Sequence, residues 1–313
     1  MRILFLFIVA CATTACVNTN TKTHNTKPSD TTIPTIINNN VLLADTDSTT
    51  VISDSDNPDG LTTQKLKFKS DSMIAPHGMF SITLDLPICD DTIKWYVLEY
   101  MRDSLIRMAS KTLLSDIPNL NNMPDIHKVG IEGFMQLAAN NLGKSYHDNN
   151  IAYDYPHEVI SGYIDFELQA DTKAFISYSV TRGEHIAYWP GSFTIYTTIR
   201  KDNGKAVNNI LRRDKAADIQ SLLLQYIDEN ETDEYKQKFI SMLQLFETDT
   251  IDKPFIPLPK NEPWLASDGV HIYYGANQVP KNFYVPTFVI PADKAKPFIS
   301  EEAYYLLKQS EED

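Results

Sequence analysis

Glu184-His185, Asp268 with His271, His147-Asp148 and Tyr153-Asp154-Tyr155 are the places where this chain sets an imidazole or phenol close to a carboxylate. Such neighbours could pass a proton to a substrate if the fold gathered them into one cleft. Their spacing is not that of a metal or nucleophile motif. The HxxxH and HExxH patterns, the GxSxG elbow, the GxxxxGK[ST] loop and the GxGxxG turn do not occur. His24, His77, His127, His147 and His157 are scattered through polar stretches. Asp90-Asp91 and Glu301-Glu302 each precede a helical pattern, where carboxylates complement the positive end of a helix dipole. The stretch from Gly183 to Gly191 reads as a loop carrying Tyr188 and Trp189, and aromatics on loops stack on sugars or anchor protein partners. The candidate binding residues are therefore Tyr188, Trp189, His185 and Glu184, with no catalytic residue, metal or cofactor expected.

The bulk composition narrows the partners. The 313 residues carry a formal charge of −13. Nucleic acid needs clustered Lys and Arg, so this balance argues against it. It also disfavours electrostatic docking to anionic headgroups, while leaving a cationic protein partner open. At 42% hydrophobic, the chain can bury a real core.

The strongest local signal is at the N-terminus. Met1-Arg2 is followed by an apolar run, Ile3 to Ala10, and by Cys11-Ala12-Thr13-Thr14-Ala15-Cys16. One positive charge, a short apolar stretch and small residues make a secretory signal, too short to span a bilayer. A small residue before cysteine resembles the lipobox of bacterial lipoproteins, which implies that the cysteine becomes the first mature residue and is diacylated. Cys16 is favoured because it leaves a signal of normal length; Cys11, in Ile8-Val9-Ala10-Cys11, is the alternative. Residues 1–15 are then the signal peptide. Residues 16–64, rich in Thr, Asn, Asp and Ser, bury too little to order themselves and are expected to form a disordered tether. No acidic residues follow Cys16 at once, so the body is expected to face the periplasm, with surface exposure left open. Of the three cysteines only Cys89 lies in the body, after the apolar Leu84, Leu86 and Ile88, where a small core residue is expected.

The elements that must position any site are legible as periodicities. Phe80 to Leu86 alternates as a half-buried strand. Ile93, Val97, Met101, Leu105 and Met108 recur at helical spacing between Thr92 and Leu114. A second helix is predicted from Ile131 to Leu142, with Gly143 as its C-terminal cap. Strands are predicted over Tyr163–Leu168, Ala174–Thr181 and Ser192–Arg200, then a turn at Lys201–Lys205. Asp214 and Thr232 each precede a helical pattern as caps. Trp264 to Tyr274 reads as a hairpin about Ser267-Asp268-Gly269, Phe283 to Ile290 as an edge strand interrupted by Pro286, and Ser300 to Leu307 as a closing helix. Strands and helices come in clusters, so the expected class is α+β with antiparallel sheets packed against several helices.

This order of elements resembles a known extracytoplasmic arrangement. Ala174-Phe175-Ile176-Ser177-Tyr178-Ser179-Val180 and Ser192 to Lys205 are similar to the domain of unknown function found beside peptidoglycan deacetylases of the PdaC type. Ser267-Asp268-Gly269-Val270-His271-Ile272-Tyr273-Tyr274, Phe283-Tyr284-Val285-Pro286, Val289-Ile290-Pro291 and Lys296-Pro297-Phe298-Ile299 resemble the C-terminal domain of unknown function of the anti-sigma factor RsiV. The chain departs from the pattern in its hairpin loop, which lacks Gly-Gly-Ala-His, and in the glycine expected before Phe288. The resemblance implies a first domain over 65–250 and a second over 251–313, packed as one body. It also implies a non-enzymatic binding or sensing module at the cell envelope, because the anti-sigma factor's module recognises lysozyme. The expected ligand is a cell-wall fragment, peptidoglycan, or a cationic envelope protein such as lysozyme. The alternatives are a wall glycan hydrolase or deacetylase accessory protein, and a structural assembly component.

Overall fold

The computed structural model describes residues 63–109, 120, 123–152, 160–186, 189–245, 257–275, 278, 285 and 287–310. The expected signal peptide, both N-terminal cysteines and nearly all of the expected tether lie outside them. Strand β1 (Thr63–Lys69) begins inside the stretch that composition assigns to the tether. Its Leu66 and Phe68 are buried while Lys65, Lys67 and Lys69 are exposed, the alternation of a half-buried edge strand. It pairs antiparallel with β2 (Gly78–Pro87), whose Phe80, Ile82, Leu84 and Leu86 all face the core.

Helix α1 (Asp91–Ala109) starts on Asp90, whose Oδ1 accepts the Ile93 N–H at 3.0 Å. The predicted extension to Leu114 lies outside the described residues. Helix α2 (Ile126–Ala152) is interrupted at Gly130, where φ is 73°, so its regular part begins at Ile131 as the periodicity predicts. It does not stop at Gly143. That glycine is inside the helix because α2 presses on β2 there: a Cβ at Gly143 would lie 2.3 Å from Ser70 Cβ, and one at Gly78 would lie 2.4 Å from Gly143 O.

The chain then returns parallel to β2 as β3 (Ile160–Asp171) and turns through β4 (Phe175–Ile186) and β5 (Trp189–Arg200) in an antiparallel meander. The sheet order is β1-β2-β3-β4-β5. Even-numbered residues of β2 and β4 face α1 and α2, and with Ile164, Phe166 and Ile199 they form the first core. A register shift between Leu168 and Ala170 turns Ala170 to the other face, where it joins Phe175 in a second core. Cys89 is half-buried just past β2, and burial pushes its thiol pKa up.

After the turn at 201–203, Asp214 does not cap a helix. It lies in a 3₁₀ turn (Arg213–Lys215) and accepts hydrogen bonds from Arg212 Nε and Nη2, at 3.1 and 2.6 Å. Helix α3 (Ala216–Asn230) follows. Helix α4 (Asp233–Leu245) is capped as predicted, Thr232 Oγ1 accepting the Tyr235 N–H at 3.2 Å. Thr232→Ala is expected to lower stability by about 1 kcal/mol, read from a urea midpoint shift.

The hairpin β6 (Trp264–Ala266) and β7 (Gly269–Ile272) pairs next with β8 (Phe288–Pro291), which is an edge strand. The predicted start of that strand at Phe283, and Pro286, lie outside the described residues. Helices α5 (Ala292–Ala295) and α6 (Glu301–Ser310) close the chain. Helices α3, α4, α5 and α6 share the second core with this small sheet. The second core also takes Ala170 and Phe175 from the large sheet, and the expected boundary at 250 falls outside the described residues. A buried hydroxyl lattice joins the parts: Ser177 Oγ donates to Leu265 O at 2.7 Å, and Leu265 N–H to Thr198 Oγ1 at 3.0 Å. The architecture is α+β, as expected.

Candidate functional site

The residues singled out by type do not converge. Arg182 and Glu184 both point to the first core by the period-two rule of a strand, and they are 1% and 5% exposed. Their side chains pair with each other, and both meet the Tyr146 hydroxyl of α2. Arg182 also donates to the carbonyls of Met108 and Ala109, closing the C-terminal end of α1. Burial pushes the Tyr146 phenol pKa well up. Glu184 is therefore a buried structural carboxylate, and the expected loop from Gly183 to Gly191 is strand up to the register pair Ile186 and Trp189. A charged pair that faces inward looks like a loop in sequence because nothing local reveals that its partners are distant. His185 is exposed near the end of β4. Tyr188 and the side chain of Trp189 lie outside the described residues.

His271 and Asp268 do meet, Nε2 to Oδ1 at 2.6 Å, across the β6–β7 turn. They belong to the small sheet and Glu184 to the first core, so no joint acid–base site forms from these residues. Among the described residues no three His, Cys, Asp or Glu side chains gather as metal ligands.

The structure brings a different set together. A pocket of about 740 Å³ opens at the edge of the large sheet, between α1, β5, residues 204–208 and residues 260–262. That size lies within the range of small-molecule sites. Helix α1 supplies one wall, since Trp95, Glu99, Asp103 and Arg107 share a stripe about four residues apart. Tyr100 and Ser104 of α1 and Thr197 of β5 add hydroxyls, while Ile195 and Ile199 add apolar surface. Asn208, Lys260, Asn261 and Glu262 form the opposite wall.

Each wall is held. His127 Nε2 bonds Glu99 Oε1 at 2.6 Å, and its ring stacks on Trp95. Arg102 grips both Glu99 oxygens, at 2.9 and 2.8 Å. Trp95 nevertheless remains 46% exposed. Asn261 Nδ2 reaches Thr194 O at 3.4 Å and ties the far wall to β5. The Tyr100 hydroxyl is buried beside the hydroxyls of Thr197 and Ser104. Burial pushes its pKa up, with nearby Thr197 and Ser104 offsetting part of the rise.

Sequence reasoning missed this site. Trp95, Glu99 and Asp103 lie off the apolar stripe of α1, where a solvated face is expected. An aromatic residue exposed beside carboxylates on that face was the available signal.

Neither a protein-family model nor a curated protein sequence matches the chain. Among the solved structures similar to it are two of the DUF3298 family. One is a member of the DUF3298 family from Bacteroides fragilis, at 12% identity and a TM-score of 0.54, covering 80% of this chain and 96% of its own. The other is a DUF3298 family protein from Pseudomonas aeruginosa, at 11% identity and a TM-score of 0.45, covering 80% of this chain and 98% of its own. At these identities the first likeness is one of fold.

Proposed function

We propose that this chain is a lipid-anchored protein of the bacterial envelope, attached through Cys16 or alternatively Cys11, and that its body is a non-catalytic module binding a fragment of the cell wall. The observation that carries this reading is the pocket between α1 and β5. It combines an exposed indole with hydroxyls, amides and charges of both signs. Sugars that bear hydroxyl and N-acyl groups are held by such a set, an aromatic face taking the ring and planar polar groups its substituents. The fold shared with a DUF3298 family structure is compatible with a module that carries no active site of its own.

A glycan hydrolase would need a carboxylate free to exchange a proton. Glu99 has both oxygens engaged by Arg102 and His127, and the other pocket carboxylates, Asp103 and Glu262, pair with Arg102 and Arg213, which favours positioning roles. The charge of −13 supports a second reading, a cationic protein such as lysozyme as partner.

The test is calorimetric titration of the chain with solubilised muropeptides and, separately, with lysozyme. Trp95→Ala is expected to weaken muropeptide binding at least about 10-fold. Tyr100→Phe is expected to weaken it several-fold, through loss of the hydroxyl that sits with Ser104 and Thr197 in the pocket lining. Unchanged binding by both variants would remove the pocket from the reading, and tight lysozyme binding with no muropeptide binding would favour the protein partner.

A further inference from the structure

The end of the large sheet away from the pocket presents an apolar turn that no described element covers. Between β1 and β2 the chain makes one helical turn: the Ile74 and Ala75 N–H groups donate to Asp71 O at 3.0 and 2.9 Å, and Met73 N–H donates to Asp71 Oδ1 at 2.7 Å. The turn is fastened to α2, where Asn140 Oδ1 accepts the Asp71 N–H at 2.9 Å and Gln136 Nε2 donates to Lys69 O at 2.7 Å. Its backbone is thus held while its side chains project. Met73 is 91% exposed and Ile74 45%; Met79, at the start of β2, is 47% exposed. Scattered single apolar residues need no explanation, but two on one braced turn with a third beside it do.

Lysines concentrate beside the turn. Lys65, Lys67 and Lys69 line the outward face of β1, and the register Lys69 to Ser81 places Met79 next on that same face. The acidic groups there are Asp85, 3.6 Å from Lys65, Asp165, one strand beyond Thr83 in the row of Lys67, and Asp71, whose Oδ1 accepts from Met73 N–H. Lys67 and Lys69 have no acidic partner among the described residues. An apolar tip flanked by unpaired lysines fits the interface of an anionic bilayer, the side chains entering the headgroup boundary and the ammonium groups meeting phosphate. Exposed Lys on an edge strand also discourages strand pairing, which accounts for the lysines and leaves Met73 and Ile74 unexplained.

We infer that the Met73–Ile74 turn, with Lys67 and Lys69, docks the body on an anionic lipid surface. This rests on the anchored reading: the same β1 continues from the N-terminal region that carries the lipidation cysteines, so docking would lay the body against the membrane that holds it.

The lipidated chain with Cys89→Ala and a fluorophore at Ile74→Cys is mixed with vesicles containing quencher-labelled lipid. One set is phosphatidylcholine alone and the other includes phosphatidylglycerol; a label at Tyr305→Cys on α6 is the control. The expected result is quenching at position 74, absent at 305, only with phosphatidylglycerol. Lys67→Gln and Lys69→Gln should each lower the docked-to-undocked ratio about fivefold, from roughly 1 kcal/mol per basic side chain at an anionic surface. Met73→Asp should abolish docking. Equal quenching at 74 and 305, or none at 74, would overturn the inference. Flotation separates the two readings. A chain that floats only with phosphatidylglycerol vesicles faults the anchor and supports the turn, while one that floats with neither overturns both.

Discussion

Arg182→Leu is expected to lower the unfolding free energy by about 3–5 kcal/mol, measured by urea denaturation. The arginine is 1% exposed and its guanidinium joins three elements: the last carbonyls of α1, the Tyr146 hydroxyl of α2 and Glu184 on its own strand. Removing it leaves a buried carboxylate without its countercharge and frees the C-terminal end of α1. Breaking such a pair costs more than never having built it, because the desolvated charge that remains has nowhere to go. The double variant Arg182→Leu, Glu184→Leu should therefore recover a large part of the loss. Lysine should not substitute well, since one ammonium cannot reproduce the planar fork that reaches α1 and α2 together. A single variant within about 1 kcal/mol of the parent would show that this cluster does not hold the first core.

Gly78→Ala is the second large effect, expected to cost about 3 kcal/mol by the same measurement. A Cβ at Gly78 would lie 2.2 Å from His147 N and 2.4 Å from Gly143 O. Both are backbone atoms of α2, so the clash cannot be relieved by a rotamer change. Helix and strand would have to part, opening the packing of Phe80 on Tyr146 next to it. Gly143→Ala should cost less. Its close neighbours are Ser70 Cβ and Oγ, held by two hydrogen bonds to Phe80, but no α2 or β2 backbone atom lies under 3 Å and alanine regains about 1 kcal/mol of helix propensity.

The elements with repeating apolar positions were legible in the sequence, and those whose reason is distant were not. Val97, Met101, Leu105 and Met108 announce α1, and Phe80 to Leu86 announces β2. Thr232 is readable because a cap is a local event. Gly143 misleads: a glycine after a helical run has the look of a cap, and only the approach of Ser70 and Gly78 explains why it stays in the helix. β1 has the pattern Lys65-Leu66-Lys67-Phe68-Lys69, yet it adjoins a polar stretch and offers just two core residues. The α+β class follows from the clustering of elements; the parallel pairing of β2 with β3 does not, since two helices intervene. For the site, Glu184 and His185 attract notice as a charged neighbour pair, but strand alternation sends the first into the core. The pocket is assembled from α1, β5 and segments near 205 and 261, residues more than a hundred apart. Its polar members fall on faces that periodicity assigns to solvent.

The parallel pairing of β2 with β3 also sets how the chain can reach this state. Ile82 and Ile164 are neighbours in the sheet, although 82 positions separate them. The β3–β4–β5 meander and the β1–β2 hairpin are each closed by short links and can form on their own. Joining them means closing a long loop that holds α1 and α2, an entropic cost met before any contact across the seam rewards it. That closure is expected to be the slow step of folding. Until it is complete, the facing edges of β2 and β3 stand open to strands of other molecules, so refolding yield should fall as protein concentration rises.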